Sequence, residues 1–487
     1  MFLVCRNYFG NLLDMEDYII KEKNKQIALI ALAATSIFMA TLDYSMLNIS
    51  LPNIAKYFNV RLITVSWIPL SYLLIITSSL LGFGKLGDIK GYKKIFILGI
   101  SIFVGGTFLC SIAPKMASVL VSRIIQAVGE AMFSPVAIAL ITTLLPKELR
   151  GKALGIMALS QGMGLSIGPI FGALINSYIG WRFIFLVNIP IGLVIIFFAA
   201  KMLPDRQAEP ADKRFDIMGA GLIFISLSTF LFGLNSVSRL GLGNIIILGC
   251  FVVSAISIIA FILGEKHIPY PLLDLGLFKI KNFSLANAAA FLSVFVYMGL
   301  YFIFPFYLEM VRNIPVTKAG MVLMFPPLMM MMIAPFSGKL SDVTGSRLPC
   351  SIGMIFATIG AVMLVFLGKD TSFYYIVACQ LVMGVAMGLF LAPNNRLVMI
   401  SAPADKQGVA SGVYKTMLSI GGAVGIAVSP IVLMSSLSRA ASKIKIPISE
   451  VKAHPEIMIQ GFKAIFIFMT FACILALISS ALATDRE

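Results

Sequence analysis

The sequence predicts an all-α integral membrane protein. Fourteen transmembrane helices are expected, as two six-helix bundles related by a parallel repeat plus two inserted helices. Three observations carry this expectation. Long apolar runs follow one another along the whole chain. The 487 residues are 59% hydrophobic and 12% charged, whereas soluble domains have about 45–50% apolar and about 25% charged residues. The segment GKLGDIKG at Gly84–Gly91 returns as GKLSDVTG at Gly338–Gly345.

The apolar runs fall at 27–50, 63–83, 95–113, 118–144, 153–179, 183–203 and 217–238, then at 242–264, 285–309, 317–337, 349–368, 373–399, 410–434 and 462–484. A membrane-spanning helix needs about 20 apolar residues, and longer runs are accommodated by tilt. Glycine and proline recur inside the runs, as membrane helices tolerate. Mean hydropathy is +0.96.

Orientation follows from the asymmetry of Lys and Arg between alternate loops. With the N-terminus inside, the inside segments collect Lys21, Lys23, Lys25, Lys85, Lys90, Lys93, Lys94, Lys147, Arg150, Lys152, Lys201, Arg206, Lys213, Arg214 and Lys266. Both termini are therefore expected on the cytoplasmic side of the cell membrane. The net charge of +16 fits loops facing anionic lipid. It is scattered over many loops and forms no basic, aromatic-interleaved patch, which argues against nucleic acid as a partner. Residues 1–26 read as a cytoplasmic arm without a signal-peptide cleavage site. Met15 is an alternative start to Met1. A long outside loop is expected over 435–460.

The repeat divides the chain. Its first copy lies between spans two and three and its second between spans ten and eleven. A plain six-plus-six duplication would place the second between spans eight and nine. Two inserted helices at 217–264 account for the offset, leaving six-helix bundles at 27–203 and 285–484. Both copies fall on the same side, so the repeat is parallel, an architecture associated with secondary transporters.

Several chemistries lack their residues. Six cysteines form no CxxC or metal-ligand spacing, and five of them sit in apolar runs as small hydrophobes. His267 and His454 stand alone. No Walker loop, nucleophile–base arrangement or cofactor-binding motif occurs. Neither an enzyme, a metal site nor a cofactor is expected.

Four segments carry candidate functional residues. In GKLGDIKGYKK, Gly84 and Gly87 permit close helix approach, and Asp88 can meet a helix N-terminus or a loop cation. Gly91 and Lys93 follow it, and Asp342, Gly345 and Arg347 stand in the second copy. A basic loop with one Asp is the plainer alternative. In GMGLSIGPIFGA, Gly164, Gly168 and Gly172 lie four apart on one helix face, with Pro169 among them. This is at least a packing face. In RIIQAVGEA, Arg123 and Glu130 lie two turns apart on roughly one face, with Gln126 between. Charges this deep are costly and rarely idle, although a structural ion pair holding helices in register is an alternative. In LDYSMLNISLP, Asp43 is an intramembrane carboxyl, with Asn48 close to the same face. A carboxyl held in low dielectric can load and lose a proton near neutrality. It can also simply be bonded to backbone or to Asn48.

These segments resemble the motifs of the major facilitator superfamily. GKLGDIKG resembles its loop signature GxLaDrxGrk, with Ile89 and Tyr92 where Arg is frequent. GMGLSIGPIFGA resembles the GPxxGG element of its exporter branches, with Ala173 as the last residue. RIIQAVGEA resembles RxxQGxG, and LDYSMLNISLP resembles LDxTIVNVALP of its fourteen-span drug:proton antiporters. WRFIFLVNIPIG at Trp181–Gly192 resembles a further signature of that branch, read here as family evidence and interfacial anchors. The resemblance implies alternating access driven by the proton gradient, with protons and a lipophilic, cationic drug or toxic compound exchanged across the membrane. A dedicated exporter of one metabolite, lipid or natural product is the alternative. It further implies that Asp43, Glu130, Arg123, Asn48 and Gln126 serve proton coupling and substrate, and that the glycine–aspartate loops latch the cytoplasmic side. A monomer with membrane lipids as its surroundings is expected.

Three features of the second half are less specific. Glu309 ends span nine and reads as interfacial and solvated. Lys415 either snorkels or projects into the central cavity. Span ten is rich in methionine (Met321, Met324 and Met329–Met332), which suits promiscuous apolar binding or ordinary packing.

Overall fold

The computed structural model describes residues 22–204, 217–241, 243–265, 275–403, 407–444 and 454–484. Among these residues, 14 helices are long and apolar enough to cross a membrane, the number expected. They are α1 (Lys23–Tyr57), α2 (Leu62–Val65 and Trp67–Lys90), α3 (Tyr92–Ser111), α4 (Met116–Leu144), α5 (Lys147–Tyr178), α6 (Phe183–Leu186 and Asn188–Met202) and α7 (Ile217–Leu240). After α8 (Ile245–Glu265) and a short 3-10 turn (Leu275–Lys279) come α9 (Lys281–Met310), α10 (Val316–Leu323 and Phe325–Thr344), α11 (Arg347–Val365), α12 (Phe373–Ser401), α13 (Gln407–Ile444) and α14 (Pro455–Leu482).

The breaks in α2, α6 and α10 share a cause. Each falls three residues before a proline, at Ser66, Val187 and Met324 ahead of Pro69, Pro190 and Pro327. Proline has no N–H for the carbonyl four residues back, which in each case belongs to the last residue of the short piece.

Two boundaries differ from expectation. Helix α1 begins at Lys23, so the arm expected over 1–26 gives its last residues to the helix; residues 1–21 lie outside the described set. Helix α13 continues to Ile444, into the loop expected over 435–460. The stretch from Ser435 to Ile444 holds no glycine or proline, so nothing stops the helix where its apolar run ends.

The parallel repeat is visible as packing. On α5, a Cβ added to Gly168 would stand 2.8 Å from Ser45 Cβ, and one added to Gly172 would stand 2.8 Å from Met46 Cα. The α5 glycine face thus lies against α1. On α13, Gly421 and Gly425 lie in the same way against the Phe291 and Phe295 backbone of α9. Close approach of backbones through small residues is the usual means of association in lipid. Gly91 and Gly345 end the two loop motifs at φ 94 and φ 81, where a side chain would be strained.

The two halves meet along α1 and α9. The Tyr44 hydroxyl donates to Met298 Sδ at 3.4 Å, Asn48 Nδ2 donates to the Tyr301 carbonyl at 2.6 Å, and Lys56 is ion-paired with Glu309. These partners are 254, 253 and 253 positions apart, and the repeat itself is offset by 254 (338 − 84). Helices α1 and α9 therefore face each other in register across the pseudo-twofold axis. The contacts climb from mid-span to the end of the molecule away from the termini. Near that end, Gly320 on α10 packs against the Pro169 carbonyl and Ala173 of α5. The inserted α7 and α8 are joined by Ser226 and Ser254. Helix α7 sits beside α2 and α13, where Asn235 Nδ2 donates to Ser66 Oγ at 3.2 Å.

Candidate functional site

Asp43 is buried at 2% exposure, mid-way along α1. Its neighbours at i−4 to i+3 are largely apolar, so its partners come from other helices. Arg123 Nη1 on α4 donates to Asp43 Oδ2 at 2.6 Å. Gln126 Nε2, one turn further along α4, donates to Asp43 Oδ1 at 3.0 Å. Asn188 Nδ2, the first residue of the second piece of α6, donates to the same oxygen at 2.9 Å. Gln126 also donates to Thr107 Oγ1 on α3 at 2.8 Å and accepts from Arg123 Nη1 at 2.5 Å. One cation and two amides thus hold the carboxylate. A buried pair of this kind contributes little net stability, yet removing one partner costs about 3–5 kcal/mol because a buried charge is left behind.

Glu130 lies two turns beyond Arg123 on α4. It is partly exposed and is not paired with Arg123. The connection runs through Tyr72 on α2. Its hydroxyl donates to Glu130 Oε2, and the Arg123 guanidinium lies 4.0 Å over its ring centroid. A cation over an aromatic face gains about 2 kcal/mol or more when desolvated. The order across the cluster is Asp43, Arg123, Tyr72, Glu130. The Arg123 Nε and Nη2 and the Asn188 Oδ1 have no hydrogen-bond partner among the described residues, so the cluster retains unused donors and one acceptor.

The structure brings Asp43, Arg123 and Gln126 together, with Glu130 one ring away. It does not place Asn48 with them. Five residues along a helix rotate a side chain by about 140°, so Asn48 shares its face with Tyr44, one turn before it, and both point to the opposite half. Tyr72, Thr107 and Asn188 are the members that the sequence did not single out. Asn188 lay in a segment read as an anchor, and Tyr72 and Thr107 are weakly polar residues in apolar runs with no spacing signal.

The loop residues have local partners. A Cβ at Gly87 would stand 2.9 Å from Val136 Cγ2, so α2 runs close to α4 there. The surroundings of Gly84 and Asp88 lie outside the described residues. Lys93 is partly buried. Arg347 opens α11. Asp342 Oδ1 lies 3.7 Å from Arg396 Nε of α12, and Arg396 Nη1 donates to the Ser341 carbonyl. Glu309, expected to be solvated, is only 14% exposed and pairs with Lys56, because α1 closes over it from the other half. Lys415 is exposed on α13. Gly164, like Gly168 and Gly172, faces α1, where its carbonyl accepts from Ser45 Oγ at 2.9 Å.

A helical membrane bundle of two pseudo-symmetric halves, with a buried charge cluster in one of them, is the structural class of a secondary transporter. Residues 33–426 match the Major Facilitator Superfamily, and the chain belongs to that family. It is 35% identical over 408 residues to the riboflavin transporter RibZ of Clostridioides difficile (strain 630), covering 83% of this chain and 87% of that one. It is 28% identical to the multidrug resistance protein Stp of Mycobacterium tuberculosis, covering 84% and 76%. Among solved structures it is similar to a bacterial homologue of the human lysosomal transporter Spinster in an inward-facing, unoccupied conformation. The TM-score is 0.67 at 16% identity, covering 96% of this chain and 99% of that one. The chain is a multi-pass membrane transporter of a family that moves small molecules, and multidrug-resistance proteins are among its relatives.

Proposed function

We propose that the protein is a proton-coupled exporter of lipophilic small molecules. It works by alternating access as a monomer in the cell membrane, with both termini cytoplasmic and six-helix halves at 27–203 and 285–484. The observation that carries the reading is the division of labour between two carboxylates. Asp43 is sealed and held by Arg123, Gln126 and Asn188, which suits a fixed negative charge that orients Arg123. Glu130 is partly exposed and bonded to a neutral hydroxyl, which suits the group that exchanges a proton with the aqueous side. Tyr72 joins the two, so a change of charge at Glu130 is felt at Arg123 through one ring. In this reading the contacts of α1 with α9 hold the end away from the termini closed, and the glycine–aspartate loops act at the other end.

The energetics separate substrate classes. One charge moving through about 100 mV gains about 2.3 kcal/mol. A one-for-one exchange of a proton for a monovalent cation forgoes that term and uses the pH gradient alone, whereas a neutral substrate uses both. The 35% identity to a riboflavin transporter motivates a second reading, dedicated export of a single metabolite. The test is uptake into inside-out proteoliposomes of riboflavin and of a panel of cationic, neutral and anionic amphiphiles, with and without an imposed pH gradient. Gradient-dependent accumulation of several unrelated lipophiles supports a multidrug exporter, and accumulation of riboflavin alone supports the second reading. Transport indifferent to the gradient overturns proton coupling.

A further inference from the structure

The half of the molecule opposite the charge cluster carries a different set of side chains at the same seam. Val294 and Tyr297 on α9 and Met387 on α12 form a small buried apolar cluster beside the main core, with Met298, Met330, Leu391 and Leu418 partly exposed around it. Tyr297 is also the position 254 residues after Asp43, so the repeat puts an aromatic ring where the first half has its fixed charge. The Tyr297 and Tyr301 rings are stacked, with centroids 6.1 Å apart and planes inclined by 13°. The Tyr301 hydroxyl is buried without a partner among the described residues. From the other half, Tyr44 reaches the rim through its hydroxyl on Met298 Sδ.

We infer that this methionine–tyrosine face is a binding platform for an uncharged, planar aromatic substrate carrying a hydrogen-bonding heteroatom; the inference rests on the transporter reading above and names its substrate class. Stacked tyrosines present a flat π-face to a flat ring. Thioethers make favourable contacts with aromatic edges and adapt to different outlines. The orphan Tyr301 hydroxyl supplies one directional bond, and leaving it unused in the bound state is costly. Charge points the same way. Within one helical turn of the cluster residues, the only charged side chain is Lys415, three residues before Leu418. Among the described residues of α9–α14 the carboxylates Glu309, Asp342 and Glu456 stand at helix ends. A cationic ligand finds no counter-charge on this face, while a neutral one incurs no desolvation of charge.

The test is equilibrium binding to the purified full-length protein, followed by ligand fluorescence without any gradient. N-phenyl-1-naphthylamine is the neutral probe. Its 8-sulfonate and ethidium are the anionic and cationic comparisons. The neutral probe is expected to bind at least about tenfold tighter than either charged one. Tyr297→Ala should weaken it about tenfold, Met387→Leu about threefold, and Tyr297→Phe less than about twofold. Unchanged affinity in Tyr297→Ala and Met387→Leu overturns the platform. Tighter binding of the sulfonate or of ethidium overturns the uncharged class. If Tyr297→Ala is not monodisperse on gel filtration, Met387→Leu, which keeps the volume and removes the sulfur, decides. Because no gradient is applied, failure of proton coupling in vesicles leaves a positive binding result standing, and a negative one leaves coupling untouched.

Discussion

Tyr72 donates its hydroxyl to Glu130 while its ring face supports Arg123. One side chain therefore contacts the partly exposed carboxyl on its edge and the buried cation on its face. Tyr72→Phe separates the two contacts, because the ring stays and the hydroxyl goes. A hydrogen bond to a charged group contributes about 1.5–3 kcal/mol, so gradient-driven transport by Tyr72→Phe should fall roughly tenfold or more. Thermal stability should fall by no more than the same about 1.5–3 kcal/mol. Parallel vesicle transport and thermal unfolding in detergent check this. A stability loss without a transport loss would reduce Tyr72 to packing.

The Asp43–Arg123 pair predicts a characteristic asymmetry. Arg123→Gln leaves a buried carboxylate without its cation and should destabilise the protein by about 3–5 kcal/mol. Asp43→Asn with Arg123→Gln removes both charges and should recover most of that loss. Unfolding midpoints of the two single variants and the double variant measure the coupling, and additive effects would count against a working pair.

Lys56 and Glu309 are ion-paired across the seam at the end away from the termini. Glu309→Lys places two cations together and should open that end more often. The swap Lys56→Glu with Glu309→Lys should restore closure. Thiol labelling of a cysteine introduced at Val311 is expected to rise in the single variant and return in the swap.

The close approach of α5 to α1 leaves no room at Gly172. Gly172→Val drives methyl groups into the Met46 backbone, and overpacking of this kind costs about 1–3 kcal/mol. The same substitution at Gly155, which has nothing within 4 Å of an added Cβ, should be nearly neutral. Expression level and unfolding midpoint of the two variants provide the comparison.

Much of the fold was legible because lipid imposes a simple rule: each span must be apolar and about 20 residues long. The fourteen helices follow from that rule alone, and the repeat offset of 254 places the halves. Helix ends were less legible, since α13 keeps its helix beyond its apolar run to Ile444, where hydropathy has no further say. At the site, Asp43, Arg123 and Gln126 stood out because charged and amide groups are conspicuous in apolar runs. Tyr72 and Asn188 did not, because their importance comes from tertiary placement under Arg123 and against Asp43. The divergence of Asn48 from Asp43 was available from the 3.6-residue period, and Glu309 was hidden because its partner Lys56 lies 253 positions away.

The central claim is that Glu130 carries the coupling proton while Asp43 holds Arg123 in place. The direct measurement is transport by Glu130→Gln in proteoliposomes, read both as pH-gradient-driven accumulation and as downhill exchange of the same substrate at zero gradient. The account predicts that gradient-driven accumulation is lost and that exchange persists within a few-fold of the unsubstituted protein. Accumulation by Glu130→Gln at the full rate, with proton flux intact, would contradict it.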